Sequence, residues 1–176
     1  MERMIFKNEQ VDLDQLPEVE DIAFHPLPAA YRNVLLISGG LFFLFILIGI
    51  VLLFTLVDGD KPIGMEWALF AWLILASLVI GRIMITFPYK GYAIRERDII
   101  YKKGWLWRSI TTVPFNRVQH CDVKQGLLER QFDLSSLNVY TAGGQNSDLT
   151  IPGLGFQTAE RYKAYILKTI SSDEEE

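Results

Sequence analysis

The sequence predicts a membrane α-helical hairpin joined to a small α+β or all-β domain. That domain reads as a sandwich or barrel of about seven strands, capped by a C-terminal helix. Three observations carry this fold class. Val34–Val57 and Trp67–Phe87 are long apolar runs parted by a short polar segment, Asp58–Glu66. After Pro88 the chain breaks into short β-like stretches with turn residues between them. Near the C-terminus, Ala159, Tyr162, Ile166 and Ile170 recur with the period of a helix.

The first run has 24 residues and no charge, enough to cross a hydrocarbon core of roughly 30 Å. Its many Leu, Ile, Phe and Val residues favour insertion by roughly 8 kcal/mol before polar positions are subtracted. A buried soluble helix is the alternative, but such helices seldom stay apolar all round for this length.

The second run is weaker because Arg82 interrupts it. Its apolar residues contribute roughly −4 to −5 kcal/mol, against about +3 for an arginine at the bilayer centre. Arg82 lies about five residues before Phe87, or roughly 7.5 Å of helix, so its guanidinium can snorkel to the interface. The competing reading is an intramembrane charge lining a pathway.

Basic residues set the orientation. Arg32 flanks the first run, and Lys90, Arg95, Arg97, Lys102 and Lys103 follow the second. The connecting segment holds Lys61 against Asp58, Asp60 and Glu66. The positive-inside rule then puts both termini of this multi-pass anchor in the cytoplasm and the short loop outside.

The domain organisation follows: an acidic N-terminal segment over 1–30, the hairpin over 31–87, the β-rich domain over 88–171 and an acidic tail over 172–176. Residues 1–30 read as a largely extended lead-in. They lack a basic start followed at once by an apolar stretch, so no cleaved signal peptide is expected. Inside the helices, Gly39-Gly40, Gly49, Ser77 and Gly81 are expected close-approach positions for helix packing.

The formal net charge is −4, but its distribution is uneven. Pro88–Phe132 holds nine bases against four acids, a local net of +5. Beside a membrane, that block suits anionic headgroups better than nucleic acid. Cys121 is the single cysteine, so no intrachain disulfide can form. His120 and Cys121 are neighbours and would point to opposite faces of a strand, a poor start for a metal site. No metal or other cofactor is expected.

After Pro88 the expected elements are Tyr89–Arg95, Asp98–Lys103, Trp105–Phe115 and Arg117–Lys124. A short helical turn over Leu127–Phe132 follows, then strands Leu137–Thr141 and Leu149–Ile151, ended by Pro152-Gly153. Gly143-Gly144 reads as a turn rather than a phosphate cradle, since no helix follows it. The last helix is expected over Thr158–Ile170, with Thr158 as its N-cap.

Three stretches carry a resemblance: Val113-Pro-Phe-Asn-Arg-Val-Gln-His, Lys124-Gln-Gly-Leu-Leu-Glu-Arg-Gln-Phe and Leu137-Asn-Val-Tyr-Thr-Ala-Gly-Gly. With the two preceding apolar helices, they resemble the bacterial pleckstrin-homology (bPH) domain of YdbS-like membrane proteins, over roughly 24–170. The resemblance implies a PH-like fold and partnership with other bPH-domain membrane proteins, or self-association, in a cell-envelope role. Asp133 departs from it, standing where a glycine is expected after Phe132.

The functional residues follow from charge and pattern. Lys90, Arg95, Arg97, Lys102, Lys103 and Arg108 are expected to touch the membrane surface, each base near an anionic leaflet contributing about 1 kcal/mol. A solvated positive flank is the plainer alternative. Arg117 and Gln119, two apart on one strand face, are expected to form a polar network fixing the Leu127–Phe132 turn, or an interaction site. Glu129 and Asp133 sit one helical turn apart, but no nucleophile or ligand set accompanies them, so an enzyme is not expected. The favoured function is a membrane-anchored interaction or scaffold module on the cytoplasmic face. The alternative is an anionic lipid-headgroup sensor working through the juxtamembrane bases.

Overall fold

The computed structural model describes residues 22–56, 64–142 and 148–173. Asp58, Asp60 and Lys61 of the polar connection, the Gly143-Gly144 turn, and most of the acidic N-terminal segment and tail lie outside the described residues.

Helices α1 (Ala29–Leu56) and α2 (Met65–Thr86) are each long and apolar enough to cross a membrane. Most of their large apolar side chains face outward. The helices meet where the Phe43 and Trp72 rings stand edge to face, centroids 6.4 Å apart. The Trp72 indole N–H also donates to the Phe43 carbonyl at 2.9 Å.

Within the hairpin, the small residues expected to mediate helix packing do not. Space beside Gly40, Gly49 and Gly81 is open and Ser77 is exposed, while Gly39 meets only the tip of Ile83. Phe43 and Trp72 fill the seam instead, with Ala76 buried on the α2 side.

Beyond α2, a single 3-10 turn, Phe87–Tyr89, leads into the domain. One antiparallel sheet has the order β1 (His25–Pro26), β2 (Gly91–Ile94), β3 (Asp98–Lys103), β4 (Ser109–Pro114). A second is formed by β5 (Val118–Lys124), β6 (Leu134–Thr141) and β7 (Leu149–Gly155). A short helix α3 (Leu127–Gln131) links β5 to β6, and α4 (Phe156–Asp173) follows β7.

The core lies between the sheets and under α4. Ile99 and Val113 come from the first sheet, Leu137 and Ile151 from the second, and Ala159 and Ile166 from α4. Full burial of such a branched side chain contributes roughly 1.5–3 kcal/mol. Tyr162 and Ile170 pack against the same core, so the helical stripe read from spacing is the face that is buried.

Several boundaries differ from expectation, including the start of β6 at Leu134 rather than Leu137, and four have a clear local reason. The lead-in before α1 includes a strand, with His25 opposite Tyr92 and Pro26 opposite Gly91. Proline is tolerated because β1 is a sheet edge. Leu27 is buried in the core, so this part of residues 1–30 belongs to the domain. The pairing also brings the chain entering α1 and the chain leaving α2 to the same end of the hairpin.

Strand β7 runs on through Pro152-Gly153 instead of stopping at Ile151. It too is an edge, and its register slips by one residue: Leu137 faces Ile151 while Ser135 faces Leu154. That bulge absorbs the proline, and Gly153 takes φ +72°. Strand β4 starts only at Ser109, because the preceding residues bend to make the β3–β4 turn. Finally, α4 begins at Phe156, two residues before the expected cap, Thr158. The Phe156 N–H donates to the Asp133 carbonyl at 3.0 Å and ties the helix start to the α3 turn.

Asp133 has φ +52°, the left-handed conformation that ends α3. The backbone there is the one a glycine would supply at a helix C-terminus, adopted by an aspartate.

Candidate functional site

Two surfaces gather polar chemistry: the basic region where α2 leaves its apolar segment, and the outer face of the β5–β6–β7 sheet.

The six bases expected at the membrane divide by position. Strand β2 runs from the helix exit and β3 returns to it, so Lys90, Lys102 and Lys103 come back to that end. Arg108, just before β4, lines a groove with Tyr89, Lys102 and Gly104. Arg95 and Arg97 sit at the opposite turn of the β2–β3 hairpin. Arg95 is further occupied by Asp98, its Nε 2.8 Å from one carboxylate oxygen and a terminal nitrogen 2.5 Å from the other. The helix-end set therefore narrows to Lys90, Lys102, Lys103 and Arg108, because strand direction carries the other two away.

Lys90 is the most confined of these. Burial, then the nearby charges of Arg82 and Lys103, lower its pKa below the ordinary lysine value. Its ammonium lies 5.8 Å from the Tyr31 ring centroid, and that of Lys102 lies 4.6 Å from the Phe24 ring. Such cation–π contacts hold the long side chains in place. Arg82 lies near enough to Lys90 for its charge to contribute to that lowering.

The second surface was only half visible in the sequence. Strand alternation puts His120, Asp122 and Lys124 on one face of β5, and the register sets Asp122 opposite Asn138 and His120 opposite Tyr140. The Asn138 amide donates to one Asp122 oxygen at 2.8 Å, and the Tyr140 hydroxyl donates to the other at 3.1 Å. Lys124 approaches Asp122 at 3.3 Å and donates to the Tyr140 hydroxyl at 3.1 Å. The Thr150 hydroxyl on β7 extends the chain by donating to the Asn138 side-chain Oδ1 at 2.7 Å. His120 stacks on Tyr140, ring centroids 4.2 Å apart and planes 11° from parallel.

Desolvation opposes the Asp122 charge, but the bonds from Asn138, Lys124 and Tyr140 outweigh it and hold the carboxyl below its ordinary pKa. Cys121 faces the other way, into the core, where burial first and Asp122 second push its thiol up to about 11, against a small opposing effect of Lys163. His120 and Cys121 thus diverge as strand geometry requires.

Arg117 and Gln119 do not form the expected buried network. Arg117 falls in the 3-10 turn Phe115–Arg117, before the strand begins, and both side chains are exposed. The α3 turn is fixed by other residues. One oxygen of Glu129 accepts the Gly126 N–H at 2.8 Å and the other accepts the Ser136 hydroxyl at 3.3 Å. Gln125 donates to the Leu134 carbonyl at 2.8 Å. Glu129 and Asp122 are thus committed to structural hydrogen bonds, and Asp133 to a backbone role. Among the described residues, no three His, Cys, Asp or Glu side chains converge as metal ligands would.

Comparison with known proteins places this arrangement. The family model described as bacterial PH domain matches residues 34–170. Over 94 residues the chain is 32% identical to the UPF0699 transmembrane protein YdbS of Bacillus subtilis (strain 168), covering 52% of this chain. That match spans 57% of the relative's own length. A solved structure of a DUF1696 family protein with a pleckstrin-homology domain, from Shewanella loihica PV-4, is similar with a TM-score of 0.36 and 14% identity. It covers 46% of this chain and 70% of that one.

Proposed function

Because the chain belongs to the bacterial PH domain family, we propose that this membrane-associated PH module works as an anchored scaffold. The hairpin fixes it in the inner membrane as a multi-pass protein, with both termini and the domain on the cytoplasmic face. There it assembles with other bPH-domain membrane proteins or with further copies of itself.

The observation that supports this most is the joint between anchor and domain. Tyr31 and Phe87, at the ends of the hairpin, pack on the domain core together with Leu27. The domain is held in one pose rather than tethered by a linker. A fixed pose suits a module that presents defined faces to neighbours. The Asp122–Asn138–Tyr140 array offers such a face, ordered and spread over the outside of a sheet.

In-cell crosslinking followed by gentle detergent extraction tests this reading. Discrete homo- or hetero-oligomers are expected, and recovery of monomer alone would overturn it. A reporter inserted in Asp58–Glu66 should emerge outside the cytoplasm; a cytoplasmic signal would overturn the orientation.

The lipid-headgroup reading is favoured by one feature, the closeness of Arg82, Lys90 and Lys103. It predicts that the full chain in nanodiscs protects these lysines from acylation more strongly with anionic lipid, in a salt-sensitive way. Equal protection in neutral lipid would count against it.

A further inference from the structure

The bases at the helix exit surround a turn that is strongly apolar. Between β3 and β4, Trp105 is 49% exposed, Leu106 66% and Trp107 83%, and Ile110 just inside β4 is 59% exposed. In water this would be a costly patch at the tip of a hairpin. The turn is nevertheless well defined. Gly104 has φ +100°, and a Cβ there would overlap the Trp107 carbonyl, so the tip closes on itself.

Its position is informative. Gly104 and Arg108 line one groove with Tyr89, the last residue of the second apolar span, and with Phe24 on the approach to the first. The pairing of Gly91 with Lys102 directs Lys103 and the residues after it back past the helix exit. The tip therefore projects beside the end of α2, with Lys102, Lys103 and Arg108 at its base.

A second apolar point lies beside α1. Leu127, at the start of α3, is 90% exposed. It shares a groove with Val34, Leu35 and Ser38, the first residues of the uncharged run. Its depth is thus set by residues inside the span, and Glu129 holds α3 in that position through the Gly126 N–H.

We propose that the Trp105-Leu106-Trp107 tip and Leu127 dip into the lipid leaflet that holds α1 and α2, seating the domain on the bilayer at two points. This rests on the reading that the hairpin spans the membrane. Tryptophan favours the headgroup–acyl boundary, and bases just behind it face the phosphates, so residue type and placement agree at the tip. A leaflet is the occupant because both apolar points are continuous with the spanning helices and the tip is backed by positive charge.

The test uses the full chain in liposomes whose phospholipids carry brominated acyl chains. With Trp67→Phe and Trp72→Phe, emission comes from the tip alone; with Trp105→Phe and Trp107→Phe, it comes from α2 alone. Tip emission is expected to be blue-shifted, quenched by brominated lipid and protected from acrylamide. A bimane on Leu127→Cys should be quenched in the same way, while the buried Cys121 stays unlabelled. If α2 is quenched but the tip is open to acrylamide, the proposal fails and the membrane reading stands. Protection of the tip from both quenchers also overturns it, in favour of a protein contact or a second copy. If α2 itself escapes the lipid quencher, the hairpin reading fails first.

Discussion

The Tyr31 side chain, in the first turn of α1, packs directly on Gly153 in the β7 bulge, where an added Cβ would overlap its Cβ and Cγ. This contact joins the membrane helix to the second sheet. Tyr31 also meets Phe87, ring centroids 6.4 Å apart, so both ends of the hairpin are gripped at one place.

Replacing Gly153 by alanine should therefore cost stability twice, through the clash and through its positive φ, by about 2–4 kcal/mol. Tyr31→Ala should cost about 2–3 kcal/mol by leaving a void. The double variant should recover only a small part of the sum, with a coupling below about 1 kcal/mol, because alanine removes the ring but keeps the Cβ that lies 2.5 Å from where the Gly153 methyl would sit. Thermal melts of the detergent-solubilised chain measure all three.

Asp133→Gly should raise stability by about 0.5–1 kcal/mol, since the left-handed backbone at φ +52° is already in place and glycine adopts it without strain. Asp133→Val should lower it by about 1–2 kcal/mol. Equal melting temperatures for the two variants would contradict this account of the α3 turn.

Asp122→Ala would strip the buried Asn138 amide of the acceptor it uses at 2.8 Å. The expected cost is about 1–3 kcal/mol. The pH dependence follows from the same bonds. The folded-state pKa of Asp122 is depressed, so its contribution is full above the unfolded carboxyl value and is lost as pH falls through the folded one. Denaturation followed from neutral pH downward should show a shallower acid limb in Asp122→Asn than in the parent.

At alkaline pH the sign reverses. The Cys121 thiol is raised from 9.0 to about 11, so its contribution is fully present below about pH 9 and is lost as pH rises toward 11. Cys121→Ala should flatten that part of the alkaline limb. The native thiol should also react with a maleimide far more slowly than the unfolded chain does.

Much of the architecture was legible because it rests on periodicity. The apolar runs of α1 and α2, the turn-punctuated strands and the Ala159–Ile166 stripe of α4 are properties of neighbouring residues along one chain. Asp98–Lys103 falls where alternation and turn signals put it. What alternation leaves open is register. His120, Asp122, Asn138 and Tyr140 could be assigned to strand faces, but their meeting depends on which residue of β6 lies opposite each residue of β5. Arg117 looked equivalent to Gln119 by spacing, yet a 3-10 turn removed it from the strand.

The sequence by itself determined an anchor and a small β-rich domain with a C-terminal helix, since hydrophobic period and composition act locally. Tertiary structure alone decided that Tyr31 would lock the two together through Gly153, and that β1 would pair the entry of α1 to the exit of α2. It also decided that Arg95 and Arg97 would turn away while Lys90 and Lys103 return to the helix end beside Trp105–Trp107. Those outcomes depend on strand direction and on close approach between residues distant in the chain. The physical reason is that a pattern fixes which face a side chain takes, while packing fixes what that face meets.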